Sequence, residues 1–74
     1  MAELIDLAVE YRASGERCKS VLRQLKSRLK NGQLRSEEEL ELRRRITLVT
    51  AMARECLATA NYLRRYHERR QSNE

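Results

Sequence analysis

The sequence predicts an all-α fold, an antiparallel two-helix hairpin of coiled-coil type that dimerises into a four-helix bundle. Three observations predict it. Proline is absent and glycine occurs only twice, at Gly15 and Gly32, so little interrupts a helix. Two apolar stripes keep a seven-residue repeat, and a single turn signal separates them.

The first helix is expected over about residues 2–30. Leu4, Ala8, Tyr11, Gly15, Cys18, Leu22, Leu25 and Leu29 alternate in steps of four and three, which keeps them on one helix face. Glycine inside a helix costs about 1 kcal/mol relative to alanine. Because the repeat passes through Gly15 without a slip, a continuous helix is preferred to a break at Ala13-Ser14-Gly15.

Residues 31–36 form the turn. Gly32 is expected in the left-handed conformation that ends many helices, and Ser36 is expected to cap the next. Ser36-Glu37-Glu38-Glu39 has the capping-box pattern, in which Ser36 accepts from the Glu39 amide and the Glu39 side chain reaches back.

The second helix then runs over about residues 37–70, with a frayed tail at 71–74. Its first-turn carboxylates and the cations Arg64, Arg65, Arg69 and Arg70 suit the two ends of the helix dipole. Leu42, Ile46, Val49, Ala53, Cys56, Ala60, Leu63 and His67 repeat the four-and-three spacing. Folding the chain at the turn pairs the stripes in order, from Leu29 with Leu42 to Leu4 with His67, and every pair of numbers sums to 71. Two stripes that agree on one register argue for a hairpin more strongly than either does alone.

The two flanks of this seam differ. On one side lie Leu7, Ser14 and Val21 with Met52, Thr59 and Tyr66, widened by Leu48 and Tyr62. A hairpin cannot cover this stripe with its own chain, so Leu7, Val21, Leu48, Met52, Tyr62 and Tyr66 are the candidate oligomer interface, and a twofold homodimer is the economical way to bury them. On the other side lie Ile5, Arg12, Lys19 and Lys26 with Arg43, Thr50, Leu57 and Arg64. Arg12, Lys19, Lys26, Arg43 and Arg64 are candidate nucleic-acid contacts along a phosphate backbone. The competing reading is a solvated face whose cations bond to carboxylates such as Glu16 and Glu68.

Lysine and arginine number 16 against 11 acidic residues, a formal charge of +5, which favours polyanionic partners without requiring one. A chain of 74 residues buries only about 60% of its unfolded surface, so its own core is thin. The longest charge-free stretch, residues 46–53, is far short of the ~20 apolar residues that span a bilayer. Glu3, Asp6 and Glu10 stand where a secretory leader would be apolar, so a reducing cytoplasmic location is expected for Cys18 and Cys56. These cysteines fall in neighbouring seam layers and read as small core residues, although they could bridge under oxidation.

No catalytic constellation is expected. His67 is the only histidine and reads as an interface side chain, not a general base. Neither a metal site nor a cofactor motif is recognised, and the carboxylates near residue 38 are explained by the helix terminus. The expected function is that of a small non-enzymatic, homo-oligomeric interaction or adaptor module with a protein partner. The alternative is a nucleic-acid-binding dimer that uses the basic flank.

Overall fold

Helix α1 runs Ala2–Asn31 and helix α2 runs Ser36–Ser72 in the computed structural model, which describes residues 2–72. The two helices pack against each other as a hairpin measuring 59 × 15 × 14 Å along its principal axes. Good helix formers fill both segments, and the dipoles are complemented by Glu3 and by Glu37 to Glu39 at the N-termini and by Arg28, Lys30, Arg69 and Arg70 at the C-termini.

The α1 helix is unbroken at Gly15. A Cβ built there would lie 3.5 Å from the Cβ of Cys56, the partner assigned by the shared register, and 2.7 Å from both Cγ and Cδ2 of Leu57. Glycine therefore serves close approach of the helices. Leu57 is half-buried over that gap, so it is a packing residue and not part of an open basic flank.

Ala8, Leu25, Leu42, Ala53 and Ala60 are the buried apolar side chains, and the other seam positions are buried or half-buried apart from Tyr11. Tyr11 stays exposed because the layers around it hold Ala8, Gly15 and Ala60, whose small size draws the helices together and leaves no room for a ring. No described side chain is fully enclosed. Burying one leucine stabilises by about 1.5–3 kcal/mol, so a core of two leucines and three alanines is modest against the entropy of ordering two long helices.

The turn departs from expectation in two ways. Gly32 does not adopt a positive φ. Its amide donates to the Arg28 carbonyl at 2.9 Å, continuing the helical pattern, and a Cβ would meet that same oxygen at 2.7 Å. The glycine is needed for space at the end of α1, and residues 32–35 reverse the chain without a left-handed residue. Second, the Ser36–Glu39 capping box is not formed. The Glu39 amide donates to the Arg35 carbonyl at 2.9 Å, which makes Arg35 the cap position and puts Ser36 inside the first turn, while the Glu39 carboxylate accepts from Arg43 at 3.0 and 3.3 Å. At the other end, α2 is helical through Ser72, two residues past the expected bound near Arg70; residues 73 and 74 of the expected tail lie outside the described residues.

Two threonines sit inside α2 without leaving their hydroxyls unsatisfied. Thr47 Oγ1 donates to the Arg43 carbonyl at 3.1 Å and Thr50 Oγ1 to the Ile46 carbonyl at 2.7 Å.

Candidate functional site

The hairpin register determines which side chains share a face. Positions just before the seam stand opposite one another as Leu7 with Tyr66, Ser14 with Thr59, Val21 with Met52, and Arg28 with Arg45. The last of these pairs lines one cavity of about 370 Å³ at the turn end, together with Leu34, Leu42, Glu37, Glu38 and Glu41. Leu34, which the sequence pattern did not single out, folds back from the turn and lies half-buried over the end of the seam.

All six candidate interface residues are exposed, from 43% for Leu7 to 67% for Tyr62. Tyr62 and Tyr66 stack with ring centroids 6.5 Å apart, and the Arg70 guanidinium lies 6.0 Å from the Tyr66 centroid. The i, i+4 spacing places both rings on one side of α2, where they form a rigid apolar surface with polar edges. Tyr11, one turn from Leu7 and Ser14, borders this stripe, whereas Val9 and Leu40 lie away from it, so seven of the nine large exposed apolar side chains collect on or beside one face.

On the other flank, Ile5, Arg12 and Arg64 line a common cavity of about 210 Å³ with Ala8 and Ala60, which brings the two rows of that flank together at the terminal end. Three of the five candidate nucleic-acid contacts have carboxylate neighbours on their own helix. Lys19 lies 4.0 Å from Glu16, Arg43 lies 3.0 Å from Glu39, and Arg64 lies 3.9 Å from Glu68. These pairs are exposed, so solvent screens them and each ties its cation only weakly. Arg12 and Lys26 have no carboxylate within 4.0 Å among the described residues.

No family model, no curated protein and no solved structure matches this chain. Its surface chemistry is therefore the ground for a functional reading. Among the described residues no group of three or more His, Cys, Asp or Glu side chains could hold a metal ion, and no helix is long and apolar enough to cross a membrane. Cys18 and Cys56 are free and half-buried in the seam. His67 is half-buried at its terminal end.

Proposed function

We propose that this chain is a non-enzymatic interaction module that assembles as a twofold homodimer, a four-helix bundle built through the face of Leu7, Val21, Leu48, Met52, Tyr62 and Tyr66. The observation that carries the reading is the exposure of all six on one side of a hairpin whose own core is thin. Covering them would remove several large apolar side chains from water, each worth about 1.5–3 kcal/mol when fully buried.

A second copy suits this face because the face carries charges of both signs along its length, so opposite charges can meet across a twofold axis. The turn end carries Glu38 and Glu41 beside Arg28 and Arg45, while the terminal end carries Arg69 beside Leu7 and Tyr66, with Glu3 and Glu10 on the same face. Head to tail, Glu41 of one copy stands level with Arg69 of the other, and the paired arginines meet Tyr66 and Leu7. With both turns at the same end, Arg17 would instead stand level with Glu55 of the other copy and Glu3 with Arg69, while the arginines at the turns would meet beside Glu38 and Glu41. Once assembled, the bundle offers its outer surfaces to a protein partner in an adaptor role. A reducing cytoplasmic setting, in which Cys18 and Cys56 would stay thiols, belongs to this reading. Light scattering tests the assembly: a mass of twice the 8.8 kDa chain is expected, and a single-chain mass at all concentrations rules it out.

A further inference from the structure

The net charge of the hairpin is not spread over its surface. The flank of Ile5 and Thr50, extended by the adjoining row on each helix, carries Arg12, Lys19, Lys26, Arg43 and Arg64 together with Arg23, Lys30 and Arg54. All eight cations are exposed, and the same rows hold only two carboxylates, Glu16 and Glu68. The opposite face, treated in the same way, carries four cations, Arg17, Arg28, Arg45 and Arg69, against five carboxylates, Glu3, Glu10, Glu38, Glu41 and Glu55. The first face thus has six cations in excess and the second has one carboxylate in excess, so the formal charge of +5 is concentrated on one side.

Five of the eight, Arg12, Arg23, Lys26, Lys30 and Arg54, have no carboxylate within 4.0 Å among the described residues. From Arg12 to Lys30 the α1 cations cover 18 residues, about 27 Å at 1.5 Å per residue. That is roughly four-fifths of one turn of a B-form duplex, about 34 Å. No aromatic side chain lies on this face, which disfavours recognition of unpaired bases by stacking. Its apolar members also fail to form a lipid-facing stripe. Ile5 and Val9 sit at the terminal end, Leu40 at the turn end, and Leu57 is tucked over Gly15.

We propose that this basic face binds the sugar-phosphate backbone of duplex nucleic acid, with Arg12, Arg23, Lys26, Lys30 and Arg54 as its principal contacts. The face lies on the side of the hairpin away from the dimerising stripe. In the bundle proposed above, on which this consequence rests, two such faces point outward in opposite directions and one dimer joins two duplexes.

The test is a fluorescence-anisotropy titration of a labelled DNA duplex about 20 base pairs long, two helical turns, at low and near-physiological salt. Three full-length proteins of matched helicity by circular dichroism are compared. They are the wild type, Lys26→Glu/Arg54→Glu on the basic face, and Arg44→Glu/Arg65→Glu, which makes the same change in net charge off the basic face, with Arg65 beside Tyr62 and Tyr66. The wild type is expected to bind, with log affinity falling about 4–5 per decade of salt for five phosphate contacts. The basic-face variant should lose at least about tenfold and show a shallower slope, and the edge variant should lose less than about threefold. Equal losses in both variants, no binding at low salt, or binding to phosphatidylserine vesicles but not to duplex would each overturn the proposal. Energy transfer between donor- and acceptor-labelled duplexes, read beside the protein mass, tests the joining step. A dimer that binds without transfer refutes joining alone, and a monomer that binds duplex refutes the bundle while upholding the face.

Discussion

Gly15 and Leu57 occupy one another's space: a Cβ on Gly15 would lie 2.7 Å from two carbons of the Leu57 side chain, closer than such atoms can approach. A glycine that weakens α1 locally thus permits a leucine of α2 to close over the seam. Gly15→Ala should lower stability by about 1 kcal/mol, because overpacking costs about 1–3 kcal/mol and outweighs the roughly 1 kcal/mol gained in helix propensity. In a Leu57→Ala background the same change should raise stability. Urea melts at fixed protein concentration measure both signs, and a stabilising Gly15→Ala with Leu57 present would refute the contact.

Leu25 is among the most buried side chains and faces Ile46 in the shared register. Leu25→Asp places an unpaired carboxylate in the thin core, with a penalty of about 3 kcal/mol or more that a hairpin of this size cannot absorb. Far-ultraviolet circular dichroism should show most helicity lost at pH 7; retained helicity with an unchanged melt would show that Leu25 does not lie in the seam.

At the turn the roles of two residues are the reverse of what their types suggest. Ser36 lies inside the first turn of α2 and Arg35 supplies the capping carbonyl, so Ser36→Ala should change stability by less than about 0.5 kcal/mol instead of the ~1 kcal/mol lost with a true cap. Gly32→Ala, which would drive a methyl against the Arg28 carbonyl oxygen, should destabilise by at least about 1 kcal/mol. Thermal melts that rank these two variants in the opposite order would contradict the turn geometry.

Much of the hairpin was legible because a seven-residue repeat is a long-range signal: sixteen positions must agree on one register, and the contact between Gly15 and Cys56 meets that register. Local signals fared worse. The capping-box spacing at Ser36 fits a helix that starts one residue later, and nothing in the pattern fixes the start to a single residue. Leu57 was assigned to a basic flank by its heptad position, yet a missing side chain on the other helix lets it lean into the seam. That shift depends on backbone separation, which a one-dimensional pattern does not contain. The exposed stripe and the basic face follow from the register, whereas the Glu39–Arg43 pairing depends on which way a side chain turns.

The proposed bundle, if its hairpins lie head to tail, makes a prediction at its twofold axis. Aligning Glu41 with Arg69 of the second copy places residue 55 next to its own counterpart. With Cys18 and Cys56 replaced by alanine, a Glu55→Cys chain should form a disulfide-linked dimer on mild oxidation, whereas an Arg17→Cys/Glu55→Cys chain should be required if the turns lie at one end. A dimer that Glu55→Cys fails to link would refute the head-to-tail sense.

The central claim is that the face of Met52 and Tyr66 is covered by a second copy of the chain. Sedimentation equilibrium of the wild type and of Met52→Lys/Tyr66→Lys, over a range of concentrations, tests it most directly. The wild type should sediment at twice the 8.8 kDa chain mass, and the variant should be monomeric or unfolded. A wild type that remains monomeric, or a variant that keeps the wild-type mass, would contradict it.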